Sequence, residues 1–131
     1  MTRKTIITLG QLPVDIINRT LETELEAGEV VITARAQAHI EADHPDDYDV
    51  VMRYLPEIIS NPTYIGQSPH HSEAFEMVRR IVLPGTEKNI LTAINLTRNE
   101  FGNYCVHSAY SIPQATVDKR IAKGHLQNPK K

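Results

Sequence analysis

A chain of 131 residues is long enough for one ordinary domain with a single mixed core, and 14 Lys and Arg against 16 Asp and Glu leave a net charge of −2. That balance does not mark a nucleic-acid binder or a membrane surface, and the single cysteine, Cys105, excludes an internal disulfide and a thiolate zinc cluster. The core has to be aliphatic, because Trp is absent and Phe stands only at 75 and 101.

From the N-terminus, Met1 to Ile7 lacks the apolar stretch of a signal peptide, and no run approaches the ~18 apolar residues of a membrane span. The expected location is therefore the cytoplasm, although a toxin domain cut from a longer secreted chain and delivered into a target cell would have the same composition. Thr5 to Leu9 is β-branched and ends at Gly10, which predicts a short strand and a turn. The segment from 12 to 21 has apolar residues at helical spacing, with Pro13 tolerated in the first turn and Gly28 as a plausible stop.

Val30-Val31-Ile32-Thr33 predicts a buried strand that runs directly into a helix over Ala34 to Ala42, where alanines alternate with Arg35, Gln37 and Glu41. Pro45 forces that helix to end near His44. His39 and His44 then lie about 140° apart around the helix axis and do not share a face while it is regular. On spacing alone, one is as readily a packed histidine and the other a surface residue. What favours chemistry is that histidine exchanges protons near neutral pH without a large pKa shift.

Asp46 or Asp47 can cap the next helix, whose apolar stripe runs through Val50, Val51, Tyr54, Leu55, Ile58 and Ile59. Pro56 inside that stripe predicts a kink or a second short helix before Asn61-Pro62. Tyr64-Ile65-Gly66 is a brief extended piece, and Gln67 to Ser72, with His70-His71, reads as a polar loop. Three strands follow, over Ala74 to Leu83, Asn89 to Thr97 and Tyr104 to Ile112, joined by Pro84-Gly85-Thr86 and Arg98 to Asn103 as an antiparallel meander. Pro113 opens a last helix through about Ala122, closed by Gly124. The reading is one α+β domain over 1–126 with a flexible tail over 127–131. Acidic stretches lie at 22–29 and 43–49, and basic ones at Arg79-Arg80 and in the last thirteen residues.

The run Val31-Ile32-Thr33 leading to His39-Ile40, then His44-Pro45, the helix ending in Asn61-Pro62, and the strand Val106-His107-Ser108-Ala109-Tyr110 together resemble the phage-associated branch of the barnase, EndoU, colicin and RelE-like nuclease superfamily. The similarity spans residues 5 to 124. It implies N-terminal helices packed on a mostly antiparallel sheet with a C-terminal helix. It also implies a metal-independent ribonuclease that needs no cofactor, a toxin or phage effector acting on RNA such as tRNA and restrained by an immunity or antitoxin protein.

RNA carries its own nucleophile, the 2′-hydroxyl, so cleavage calls for a base, an acid for the leaving 5′-oxygen, and donors or a cation near the phosphate. The resemblance places the His39-Ile40 segment at the site, which makes His39 the first choice for base or acid. His44 or His107 supplies the second group, and spacing does not decide between them; Tyr110 completes the candidate catalytic set. Ser108 and Tyr110 share one face of their strand while His107 points the other way with Ala109. Arg79, Arg80, Ser108 and Lys119 are the candidate substrate contacts, with Arg79 and Arg80 on opposite faces and Lys119 and Arg120 otherwise ordinary solvated helix charges. A zinc site is disfavoured because His39 and His44 are not an i, i+4 pair, and Cys105 has no activating neighbours. The rival reading is a catalytically inactive module of the same fold that binds RNA or a protein partner.

Overall fold

The computed structural model describes residues 4–67 and 72–131; the pair His70-His71 lies outside them. The elements found are β1 (Ile7–Gln11), α1 (Val14–Leu21), β2 (Glu29–Ile32), α2 (Ala34–Asp43), α3 (Tyr48–Ser60), β3 (Tyr64–Gly66), β4 (Ala74–Leu83), β5 (Thr86–Asn95), β6 (Tyr104–Ile112), α4 (Gln114–Ala122) and β7 (Leu126–Gln127). The strands form one sheet in the order β1-β2-β6-β5-β4-β3-β7. Its pairings are antiparallel except that of β2 with β6. The architecture is the expected α+β, with the β4-β5-β6 meander at its centre.

Alternation along the meander divides the apolar residues between two faces. Phe75, Met77, Ile81, Ile90 and Ile94 meet Ile17, Ile40, Val51, Leu55 and Ile58 of α1 to α3 in the main core. Val78, Leu91 and Ile112 point the other way and are covered by Val117 of α4 and Leu126 of β7. α4 and β7 cover only part of this second face, and the uncovered part carries the groove described below.

Several elements differ from the sequence expectation for physical reasons. β1 passes through Gly10 instead of stopping there, because the register shift between Thr8 and Gly10 uses a backbone with φ 117° that glycine adopts freely. α3 continues unbroken across Pro56. A proline inside a helix costs about 3 kcal/mol, whereas burying Leu55, Ile58 and Ile59 completely is worth about 1.5–3 kcal/mol each, so burial wins. The C-terminal residues are tied at two points: Gln127 pairs with Ile65 in β7, and the Lys130 N–H donates to Thr20 Oγ1.

Gly124 ends α4 as expected. Its φ of 76°, with Gly124 N–H donating to Ile121 O and His125 N–H to Arg120 O, forms a left-handed cap that turns the chain into β7. β7 then reaches β3 at Gly66, where a side chain would collide with the His125 carbonyl.

Candidate functional site

A bulge in β6 makes the site. Leu91, Thr92 and Ala93 face Tyr110, Ala109 and Ser108 in turn, but Ile94 faces Val106, leaving one extra residue in β6. The slip sends both Val106 and Ala109 into the main core, and His107 and Ser108 both line the opposite face. This corrects the strict alternation read from the sequence, which set His107 against Ser108 and Tyr110. A bulge leaves no mark in a pattern of single residues, since either phase of Val106-His107-Ser108-Ala109 is plausible alone.

The groove so formed measures about 500 Å³. Small residues, Ala74, Ala93 and Ser108, make room in it, while His107, Tyr110, Glu76 and Asn95 supply polar or aromatic groups. His107 is exposed, and Ser108 and Tyr110 are half-buried, so a ligand can reach them.

Tyr110 is braced from α2. Thr33 caps that helix by accepting from the Ala36 N–H at 3.1 Å, and buried Gln37 and Ile40 fix its inner side. His44 follows at one and two turns from those residues, on the same side, and its ring stacks on Tyr110 with centroids 4.8 Å apart and an interplanar angle of 22°. His39 is on the exposed side and does not line the groove.

The α2–α3 connection is docked by Asp47. β2 pairs with β6 only at Tyr104 and Cys105, so the later half of β6 has an open edge. Asp47 closes it by accepting from the Ser111 N–H at 3.0 Å and from Ser111 Oγ at 2.8 and 2.9 Å, with Lys88 Nζ at 3.3 Å. Partial burial alone would raise this carboxyl's pKa, but the Ser111 donors and the Lys88 ammonium outweigh it and hold the group below the usual range.

On the opposite wall, Glu76 is 3 % exposed and pairs with Arg120 of α4 at 2.7 Å. Sequence reasoning passed over Glu76, though the signal was present, and read Arg120 as a solvated helix charge, which this ion pair corrects. Glu76 interrupts the apolar run Phe75-Glu76-Met77-Val78 and shares its face with Ala74 and Val78. The arginines singled out beforehand lie elsewhere: Arg79 bonds Glu57 and the Asn61 carbonyl, and Arg80 bonds Gln114. Lys119 is exposed on α4. Among the described residues no group of three or more His, Cys, Asp or Glu converges as a metal site.

The model of the phage-Barnase-EndoU-ColicinE5/D-RelE like nuclease3 family matches residues 8–119, from β1 to within α4. The chain belongs to this nuclease family. No curated protein and no solved structure matches it. The matched range takes in α2, the whole meander and Lys119, and so contains His44, Glu76, His107 and Tyr110. As a member of this phage-related family, the chain has nucleic acid as its expected substrate class, and no helix among the described residues is long and apolar enough to cross a membrane.

Proposed function

We propose that this domain is a metal-independent endoribonuclease working in the groove of the β4-β5-β6 face. The observation that carries the reading is the convergence of His107, Ser108 and Tyr110 on one open groove through the β6 bulge. One group removes the proton of the 2′-hydroxyl, whose oxygen attacks phosphorus; the bond to the 5′-oxygen breaks and a second group protonates it. The products are a 2′,3′-cyclic phosphate and a 5′-hydroxyl. His107 is the base or acid that the groove offers first, and the Tyr110 hydroxyl is its counterpart. Ser108 and Asn95 can donate to phosphate oxygens, and Arg120 offsets the Glu76 carboxylate beside them. His44 is a positioning residue that acts through Tyr110, and His39 lies outside the machinery.

As a toxin or phage effector, such a domain acts in the cytoplasm on RNA of a host or rival, tRNA among its targets, and an immunity or antitoxin protein restrains it. The family's phage-nuclease description supports this setting. A second reading, a binding module of the same fold, is favoured by the Glu73 and Glu76 carboxylates in the groove, which repel phosphate.

The deciding experiment is incubation with total tRNA and a generic single-stranded RNA in EDTA, with the product ends analysed. Cleavage leaving cyclic phosphates, reduced about a hundredfold or more in His107→Ala and retained in His39→Ala, is the expected result. Loss in His39→Ala with His107→Ala unaffected overturns the assignment, and no cleavage by the parent protein transfers the argument to the binding module.

A further inference from the structure

The groove touches α4 at Arg120; a second hollow lies at the other end of that helix. Arg80, Lys88, Asn89 and Gln114 line it together with the Glu87 carboxylate. Arg80 and Asn89 are in phase with Glu76 and Ala93 along β4 and β5, so both sites open on the same sheet face. α4 starts here, and Pro113 gives it no side-chain cap; the Thr116 and Val117 N–H groups donate to the Pro113 carbonyl, and those of Gln114 and Ala115 stand at the start of the helix beside the hollow.

One buried group in this hollow lacks a partner. Asn89 is 7 % exposed, and its Nδ2 donates to Gln114 Oε1 at 3.1 Å, but its Oδ1 is buried with no donor. The orientation of that amide is fixed. Gln114 Oε1 also accepts from Arg80 Nη2 at 2.8 Å, so a flipped Asn89 would set oxygen against oxygen. The hollow thus presents an unsatisfied acceptor beside one cation, since the Lys88 ammonium is turned to Asp47; Arg80, whose side chain is 43 % exposed, is held to Glu87 only at 3.8 Å.

We propose that this hollow is a distal subsite for the same RNA strand. Arg80 and the first turn of α4 take one phosphodiester, and Asn89 Oδ1 accepts from a hydroxyl or exocyclic amine of that nucleotide. The proposal rests on the ribonuclease reading. The four residues of β4 from Glu76 to Arg80 separate the two sites by about 13 Å, so a strand bound in both extends beyond the nucleotides flanking the scissile bond.

The test is a titration of the isotopically labelled full chain followed by amide spectra, with three probes: inorganic phosphate, adenosine 5′-monophosphate and a tetranucleotide with 2′-O-methyl riboses. The expected result is saturable movement of the Gln114 and Ala115 amides and the Asn89 side-chain amide with the mononucleotide. The tetranucleotide should move these and the His107 and Ser108 signals together, and bind at least about tenfold more tightly. Arg80→Ala should weaken tetranucleotide binding by about tenfold and lower the slope of log affinity against log salt by about 0.7. Gln114→Ala, an exposed substitution, serves as the second variant and should also weaken it.

Movement confined to His107 and Ser108 overturns the distal subsite and leaves the ribonuclease reading standing. Movement confined to the α4 end overturns the shared-strand assignment and counts against that reading. Equal affinity for phosphate and mononucleotide reduces the hollow to an anion site and overturns the role of Asn89. Silence at both sites overturns both ideas.

Discussion

The ring of His44 lies on the ring of Tyr110, centroids 4.8 Å apart, although the two residues belong to opposite ends of the chain's folding plan, one at the end of α2 and the other in β6. An aromatic pair of this kind is worth about 0.5–1.5 kcal/mol beyond its area. Its effect is to hold the Tyr110 phenol toward the groove. His44→Phe keeps the stacking and should retain most of the cleavage rate, while His44→Ala should lower kcat several-fold with little change in KM. Equal losses in the two variants would mean that the imidazole itself transfers a proton.

Asp47 gives the protein a defined acid sensitivity. Its carboxyl titrates lower in the folded chain than the ordinary value of about 3.9, so the unfolded state binds the proton more readily. The stabilisation is then complete above the unfolded value and is lost as pH falls through the folded one. Urea unfolding of Asp47→Asn should show a deficit of about 1–3 kcal/mol at pH 7 that shrinks below about pH 4. A deficit that stays constant down the acid limb would sink the linkage.

The Glu76–Arg120 pair predicts an asymmetric response. Removing the arginine takes a 2.7 Å ion pair away from a carboxylate that is 3 % exposed, a loss of up to about 3–5 kcal/mol. Arg120→Ala should therefore unfold at distinctly lower urea, and adding Glu76→Gln to it should recover part of the loss. A double variant no more stable than Arg120→Ala alone would show that the charge is not the cause.

Gly66 is required by the approach of β7. A methyl group there meets the His125 carbonyl, and one of the two backbones has to move. Overpacking of this kind costs about 1–3 kcal/mol, so Gly66→Ala should lower Tm and speed amide exchange at Gln67, whose N–H donates to His125 O. Unchanged exchange at Gln67 would place the strain elsewhere.

The periodic elements were legible in the sequence because single residues carry their signals. β-branched runs gave β2 and the meander, Pro84-Gly85 the hairpin, Gly124 the end of α4, and the order of motifs gave the family. The site was legible only in part. His44, His107, Ser108 and Tyr110 stood out by type, but their grouping depends on a bulge and on the docking of Asp47 to Ser111, and both are tertiary facts. Glu76 and Arg120 were hidden for a related reason: each looks like an isolated charge until α4 lies across β4. His39, conspicuous beside Ile40, sits on the side of α2 that the core does not use.

The parallel pairing of β2 with β6 joins Val30 to Tyr104 across most of the chain. Contacts of such long sequence separation form late, after loop closure has been overcome, and they slow folding. During synthesis, which proceeds from the N-terminus, α2 and its His44 emerge long before the strand they rest on. The groove is therefore completed on the ribosome only once β6 and α4 as far as Arg120 have left the exit tunnel.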